Sequence, residues 1–389
     1  MREGFRIIDS DLHVIETGDV YEKYLDERYR KKMPRYLGWS PTNFPHWEVQ
    51  GHMIPPWACS PDVIGPQQYL DAPREQLYKP ARERGYDAHS TLTAMDAEGI
   101  DVGVVYRTFA HMVVSIDDLE PACATAYCAA FNDWLADYCQ TNPQRLKPAA
   151  IVSLHDPELA AAEARRAVEK KGHVAVVLLP MPLNGRYFHA PECDVLWQEI
   201  TRLGVPLAFH GTSGGACKEY VTNRFRGLPN FRTQNHASAF PLELMLAMSA
   251  MIVGGVLERF PDLRVAFLEG NCGWLPWWLH RLDDQWKKYG GGEAVKLSAK
   301  PSEYFRRQCF IGTDVDEELL RVVIDEIGDD NIVMSVDYPH ADGPFPNGTK
   351  TFLALPHVSL DSKRKIMWDN CLRLYGFSRE QVQAVGEQQ

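Results

Sequence analysis

Eight short apolar segments, rich in β-branched residues, recur along this 389-residue chain and constrain its fold more than any other feature. Each is almost continuously hydrophobic, which is typical of strands buried on both faces of a parallel sheet. Longer amphipathic stretches, such as Pro157–Lys171, separate them and have the length of crossover helices. The segments are 5–9, 102–106, 149–154, 175–179, 206–210, 264–269, 309–312 and 332–337.

This eightfold alternation predicts an α/β fold, a closed (β/α)8 TIM barrel rather than an open sheet, with residues 1–389 as one domain. Asp156 before Pro157 predicts the N-cap of one crossover helix. Residues 16–90 do not fit the repeat and carry Trp39, Trp47 and Trp57. Because long insertions in compact domains are usually functional, we predict that they form a lid over the barrel mouth, with 211–229 as a second long loop.

The bulk composition excludes several classes of protein. The net charge of −11, from 41 basic and 52 acidic residues, argues against nucleic-acid binding. Nine cysteines without a CxxC pair do not predict a disulfide framework. The N-terminus lacks the apolar core of a signal peptide, and the longest apolar stretch, 244–256, is too short to span a bilayer. A soluble, cytoplasmic protein without a membrane partner is expected.

The first predicted strand carries Asp11 and His13 at its carboxyl end, and Glu16 follows at the start of the loop. Alternate residues of a strand point the same way, so Asp11 and His13 are expected to face the barrel interior together. Glu16 is placed to add a carboxylate from the following loop. The alternative is that Asp11 and Glu16 cap loops and His13 is a satisfied polar residue.

Three further strands end in polar residues. His210, Glu269 and Asp337 close the fifth, sixth and eighth apolar segments, where barrel enzymes keep their catalytic groups. Together with the first strand they predict a metal site at the mouth. For Glu269 the alternative is a structural ion pair with Arg107 or Arg281.

Five residues of the loops after these strands are weaker candidates. His340, three residues past Asp337, is predicted to orient the substrate or to hydrogen-bond a ligand. His236, between the fifth and sixth strands, either reaches the metal or caps the following helix. Trp274 is the aromatic residue expected to face the mouth. Arg224 and Arg226 are expected either to bind an anionic substrate group or to be solvated.

Four segments carry a resemblance to the amidohydrolase superfamily, in particular its amidohydrolase-related branch with the carboxymuconate-semialdehyde decarboxylase-like enzymes. They are DSDLHVIE, FHGTSGG, GGVLERFPDLRVAFLEGNCGWLPWWLHRLDD and SVDYPHADG, and the resemblance covers nearly the whole chain. It implies Asp11, His13, His210 and Asp337 as metal ligands. The chain departs from the usual pattern at Asp11, which replaces a histidine, at Glu269, which replaces another, and at the extra carboxylate Glu16.

These replacements favour a harder metal than zinc. Carboxylates favour iron or manganese, and two histidines with one carboxylate form the ligand set of open non-haem iron sites. This variant resembles the dinuclear non-haem iron oxygenases of the barrel fold. The resemblance predicts two iron ions, with manganese or zinc as alternatives, among Asp11, His13, Glu16, His210, His236, Glu269 and Asp337.

Three functional interpretations follow. The favoured one is a dinuclear non-haem iron monooxygenase that hydroxylates a small organic or CoA-linked substrate, with dioxygen and an external reductase as partners because no flavin or nicotinamide motif is present. The second is a metal-dependent hydrolase or non-oxidative decarboxylase that uses a metal-bound water. The third is a non-catalytic partner subunit with a structural metal. Asp337, Glu269 and His340 are the predicted catalytic residues, and a homodimer or hetero-oligomer stays open.

Overall fold

The computed structural model describes residues 1–16, 18–39, 45–56, 72–225, 227–228, 231–378 and 382. Eight parallel strands form one sheet in the order β1-β5-β6-β7-β8-β9-β10-β11. Three further strands form a separate antiparallel sheet, in which β3 lies between β2 and β4. The strands are β1 Ile8–His13, β2 Arg35–Trp39, β3 Pro45–Val49, β4 His52–Ile54, β5 Val102–Tyr106, β6 Leu146–Ile151, β7 Ala175–Leu178, β8 Leu207–His210, β9 Val265–Leu268, β10 Cys309–Asp314 and β11 Ile332–Ser335.

The first and last strands of the eight-stranded sheet are joined to each other. The backbone N–H of Val336 donates to Asp9 Oδ2 at 2.9 Å, and Ser335 Oγ donates to the carbonyl of Asp11 at 2.8 Å. These side-chain bonds hold the two edge strands together, so the eight parallel strands form a nearly closed barrel. The predicted (β/α)8 TIM barrel is therefore confirmed.

Helices connect the strands and cover the outside of the barrel. Asp156 caps α6 through the backbone N–H groups of Glu158 and Leu159, as its position before Pro157 predicted. The helix ends at Gly172, whose φ of 77° is a conformation that glycine adopts without steric cost. The α-helices are α1 Val20–Tyr24, α2 Ala72–Glu83, α3 Ala88–Glu98, α4 Ala110–Val113, α5 Pro121–Cys139, α6 Pro157–Lys171, α7 Asp194–Leu203, α8 Phe231–Ala239, α9 Pro241–Ile252, α10 Val256–Arg259, α11 Leu275–Tyr289, α12 Pro301–Gln308, α13 Leu320–Ile327, α14 Gly348–Ala354, α15 Leu360–Arg364 and α16 Asn370–Tyr375.

The largest difference from the predicted strands is at β1, which begins three residues later than expected and includes Asp11 and His13. Its pairing with β5 shifts register between Asp9 and Leu12. Asp9 stabilises this irregularity, because its carboxylate accepts the backbone N–H of Asp11 at 3.0 Å. Both metal-capable side chains therefore belong to the strand itself, which fixes them more firmly than a loop would.

The described part of the predicted lid contacts the carboxyl end of the barrel. Trp47 packs against Phe109 with ring centroids 5.4 Å apart. The hydroxyl of Tyr78 donates to the carbonyl of His340 at 3.2 Å. Pro55 packs against Gly214 closely enough to leave no room for a side chain there. Trp57 lies outside the described residues.

Apolar side chains fill the barrel and the layer between strands and helices, and Phe209 stacks on Phe267 with ring centroids 5.7 Å apart. Each of the eight cysteines in the described ranges is a free thiol. Within those ranges, no helix combines the length and the apolar character needed to cross a bilayer.

Candidate metal centre

Asp11, His13 and His210 meet at the carboxyl end of the barrel. All three side chains are buried. His210 Nε2 lies 2.9 Å from Asp11 Oδ1 and 3.3 Å from His13 Nε2, and His13 Nε2 lies 3.4 Å from Asp11 Oδ1. The sequence prediction that these strand ends converge is therefore correct in its geometry.

Glu269 joins these three residues from the end of β9. Its Oε2 lies 3.2 Å from His210 Nε2, and one ligand atom from each of Asp11, His13, His210 and Glu269 falls within 4.8 Å of the others. Two donors that are each about 2.1 Å from one ion are separated by about 3.0–3.4 Å at octahedral or tetrahedral angles. The observed spacings of 2.9–3.4 Å therefore fit donors arranged around one cation.

Asp337 and His340 form a second group beside His13. Asp337 Oδ1 lies 3.3 Å from His13 Nε2 and 2.8 Å from His340 Nδ1. This buried oxygen has no hydrogen bond of acceptable geometry within the described residues. The His340 ring packs on the His13 ring at 4.2 Å, and its Nε2 lies 3.0 Å from Thr108 Oγ1. Since Thr108 Oγ1 donates its own hydrogen to the carbonyl of Val14, it accepts from His340 Nε2.

Two of the carboxylates are held on left-handed backbone. Glu269 has a φ of 55° and Asp337 a φ of 57°. Such conformations cost a non-glycine residue on the order of 1–3 kcal/mol and cluster at functional sites. The fold thus maintains local strain at the two positions that direct carboxylates towards the histidines.

The electrostatics of the centre separate its carboxylates into two kinds. Burial opposes ionisation of Asp11, but His210 and His13 outweigh it and hold the pKa of this carboxyl below its usual range. For Glu269, burial and the charge of Asp337 raise the pKa well above its usual value. For Asp337, burial and the charge of Asp342 have the same effect. Without a cation, the protein therefore favours the protonated forms of Glu269 and Asp337 more than water does.

Arg107 belongs to the centre and was considered from sequence only as a structural partner of Glu269. It follows β5 directly and is buried, and its Nη2 donates to the carbonyls of His210 at 2.8 Å and Gly211 at 2.6 Å. Its Nε donates to His111 Nδ1 at 2.9 Å. Arg107 could have been found by the sequence signal that identified His210, because each is a polar residue at the end of an apolar strand. The other suggested partner of Glu269, Arg281, instead faces Asp284 on its own helix.

Glu16 requires a correction, because it lies outside both groups of ligand atoms. Its Oε1 accepts the backbone N–H groups of Thr108, Phe109 and Ala110 at 2.9–3.0 Å, at the start of α4. A carboxylate at a helix N-terminus satisfies donors that the helix itself cannot. The structure therefore gives Glu16 the capping role that was the alternative to metal binding.

His236 also lies outside both groups. It is within α8 rather than in a loop before a helix, and its Nε2 lies 3.5 Å from Asp342 Oδ2. It lines a cavity of about 360 Å³ that adjoins Asp11, Glu269 and Asp337. Its position is thus at the mouth of the centre and not among the clustered donors.

The three predicted substrate-binding residues are less informative. Trp274 is half-buried at the start of α11, and its indole N–H donates to the carbonyl of Gly270 at 2.8 Å, so its polar atom holds its own loop. Arg224 is exposed in the 3-10 helix Val221–Phe225. Arg226 lies outside the described residues.

A family model described as Amidohydrolase matches residues 8–377. The chain belongs to this family, as the sequence motifs predicted. Two curated relatives are decarboxylases. The chain is 26% identical over 305 residues to the gamma-resorcylate decarboxylase of Polaromonas sp., which spans 73% of this chain and 86% of that protein. It is 24% identical over 245 residues to the 2-amino-3-carboxymuconate-6-semialdehyde decarboxylase of Dictyostelium discoideum, 63% of this chain and 65% of that protein.

Solved structures share the fold. The 5-carboxyvanillate decarboxylase of Sphingomonas paucimobilis superposes with a TM-score of 0.70 at 24% identity, over 96% of this chain and 100% of that one. A 5-carboxyvanillate decarboxylase of Novosphingobium aromaticivorans, solved with bound manganese, gives a TM-score of 0.68 at 19% identity over 97% and 98% of the chains.

These relatives correct the favoured functional interpretation. They are decarboxylases, so they support an enzyme but contradict the predicted dinuclear iron monooxygenase and its classification as an oxidoreductase. The metal expected from the sequence has a counterpart in the manganese of the related structure, while the more specific expectation of an iron pair has none in the relatives named here.

Proposed function

We propose that this member of the amidohydrolase family is a divalent-metal-dependent, non-oxidative decarboxylase of a small carboxylated aromatic or conjugated acid. The observation that carries the proposal is the convergence of Asp11, His13, His210 and Glu269 at ligand spacing, with Asp337 and His340 directly beside them. The activities named for the related decarboxylases support it.

The donor set is two imidazole nitrogens, from His13 and His210, and two carboxylate oxygens, from Asp11 and Glu269. This mixture suits manganese, iron or zinc, and manganese is the first candidate because a related structure contains it. A divalent ion held there supplies Lewis-acid polarisation and an anchor for the substrate carboxylate. Asp337 is less suited to this set, because its Oδ1 neighbours only His13 of these four residues in the described clusters.

Asp337 is the proposed proton carrier. Loss of carbon dioxide from a carboxylate leaves an electron pair on carbon that must take up a proton, R–COO⁻ + H⁺ → R–H + CO2. Because burial raises the pKa of Asp337, this carboxyl takes up a proton more readily than an exposed aspartate does, which suits it to donate a proton to that carbon. His340 accompanies Asp337 and is itself held by Thr108, so the pair is oriented before substrate binds.

The cavity beside the centre suits a small acid. Its volume of about 360 Å³ lies in the range of small-molecule sites, about 300–1,000 Å³. Phe240, Leu268 and Val315 give this cavity apolar lining beside the carboxylates of Asp11, Glu269 and Asp337. A ring or conjugated chain has apolar contacts there while its carboxylate is directed to the donors.

The test is anaerobic release of carbon dioxide. Metal-free protein is loaded with Mn²⁺ and incubated with 2,6-dihydroxybenzoate or 5-carboxyvanillate, and carbon dioxide is measured without dioxygen. We expect release that Asp337→Asn abolishes and that Asp316→Asn, a cavity-lining control outside both groups, retains. If neither acid nor a wider panel of aromatic acids loses carbon dioxide with any divalent metal, the proposal is refuted.

A further inference from the structure

The Arg107 guanidinium lies on the Nδ1 side of the His210 ring, while Asp11 and Glu269 lie on its Nε2 side. Its Nη2 is 2.8 Å from His210 Nδ1 and donates to the carbonyls of His210 and Gly211. The ring nitrogen Nδ1 is also 3.0 Å from the carbonyl of Gly211. Arginine has no acceptor, so Arg107 is the donor in each of its own hydrogen bonds.

Arg107 positions the segment that carries His210. Its Nη2 donates to the carbonyls of His210 and Gly211 and so holds the backbone at the end of β8. The Nε2 atom of His210 then faces Asp11 and Glu269, at 2.9 Å and 3.2 Å. Arg107 therefore holds His210 in the orientation that a metal ligand requires.

Arg107 also brings a positive charge into a group of acids. It interacts electrostatically with Glu269, Asp11, Glu16 and Asp337. The described lining of the adjoining cavity contains no lysine or arginine, although Asp314, Asp316 and Asp342 lie on it. An anionic substrate that approaches through this cavity is thus repelled at the mouth, and Arg107 is the buried positive charge behind the donors that opposes this repulsion.

We infer that Arg107 is a positioning residue and the fixed counter-charge of the centre: it orients His210, weakens the binding of cations, and strengthens the binding of the substrate carboxylate. The identity of that anion rests on the proposed function. The charge effect on cations does not, because it follows from the position of Arg107 among the donors alone.

Two substitutions separate charge from hydrogen bonding. Arg107→Met and Arg107→Lys both lack the guanidinium fork, but only the lysine keeps the charge. Removal of a nearby positive charge strengthens the binding of a cation and weakens the binding of an anion. These changes in affinity are large in a buried site, where the effective dielectric constant is low. We expect Arg107→Met to bind Mn²⁺ about tenfold or more tightly than Arg107→Lys, by calorimetry on metal-free protein.

The anion is expected to behave in the opposite way. With Mn²⁺ saturating, Arg107→Met should bind 2,6-dihydroxybenzoate about tenfold or more weakly than Arg107→Lys. Structural damage would weaken the binding of both ligands. Opposite changes in the two affinities therefore identify an effect of the charge. Arg264→Met is the matched control, since this arginine donates to the carbonyls of Gly204 and Arg373, away from the centre, and its loss should change neither affinity.

The outcomes distinguish the two proposals. Equal Mn²⁺ affinities of Arg107→Met and Arg107→Lys, or shifts of both ligands in one direction, overturn the counter-charge role. If Arg107→Met binds Mn²⁺ more tightly than Arg107→Lys but no acid is decarboxylated, the counter-charge role stands and the proposed function fails. Arg107→Gln, which carries no charge and keeps one amide donor, replaces Arg107→Met in both comparisons if the methionine variant does not fold.

Discussion

Glu243 makes the stability of the protein depend on pH in a calculable way. This carboxyl lies on α9 with 1% of its surface exposed, and its Oε1 accepts the backbone N–H of Val221 at 2.6 Å. Burial raises its pKa from 4.5 to about 7. It therefore connects α9 to the long loop after β8 through a group that changes charge near neutral pH.

The sign of the effect follows from the raised pKa. Well below pH 4.5, Glu243 is neutral in both the folded and the unfolded protein, and its burial does not lower the free energy of unfolding through ionisation. Between pH 4.5 and about 7 the unfolded chain releases the proton while the folded protein retains it, so the folded state loses stability, and above pH 7 the loss is complete. At about 1.36 kcal/mol per pKa unit, the full loss is about 3 kcal/mol.

The substitution Glu243→Gln should remove this loss. Glutamine keeps an oxygen that accepts the Val221 N–H but does not ionise. The variant is expected to gain about 3 kcal/mol over the unsubstituted protein at pH 8 and only about 1 kcal/mol at pH 5. Free energies of unfolding from urea titrations at the two pH values measure the difference.

The control for this experiment is Glu318→Gln, which changes an exposed carboxylate and should shift stability equally at both pH values. The reasoning is refuted if the stability difference between Glu243→Gln and the unsubstituted protein is the same at pH 5 and pH 8. A loss of stability at pH 8 would mean that the charged form is favoured by the fold.

Further predictions concern the centre itself. His13→Ala should bind Mn²⁺ at least about tenfold more weakly in calorimetry, because it removes a donor shared by both groups; unchanged affinity would exclude His13 as a ligand. Asp337→Asn should lower kcat for carbon dioxide release about 100-fold or more with the Mn²⁺ content of the protein unchanged, and loss of the metal instead would make Asp337 a ligand. Glu16→Ala should reduce the free energy of unfolding by about 1–3 kcal/mol, because it leaves the backbone N–H groups at the start of α4 without their acceptor, while mass spectrometry finds the same metal content; a stoichiometric loss of metal would restore Glu16 to the ligand set.

Much of the fold was determined by local sequence. A strand buried on both faces must be apolar throughout, and a crossover helix must present one apolar face, so the eight β/α units could be identified from patterning. The N-cap of α6 was predicted because Asp156 and Pro157 act within one turn. The position of β1 was not, since its irregular pairing depends on Asp9 meeting β11 at the other end of the chain.

The oxygenase interpretation was wrong because residue type alone was used to infer chemistry. A carboxylate counts as a metal ligand only if its oxygen is free and directed at the site. Glu16 is occupied by three backbone N–H groups, and His236 is turned towards Asp342. Removing these two residues from the predicted set leaves fewer donors than two metal ions were expected to share.

The sequence by itself determined the barrel, the family and the strand-end residues Asp11, His13, His210, Glu269 and Asp337, because parallel strands bring their carboxyl ends to one place whatever the details of packing. Only the tertiary structure decided which of these atoms lie within a few ångströms of one another, and that Arg107 lies buried among them. Distances of this kind depend on strand register, backbone strain and side-chain hydrogen bonds between segments as far apart as residues 11 and 210, which no local pattern records.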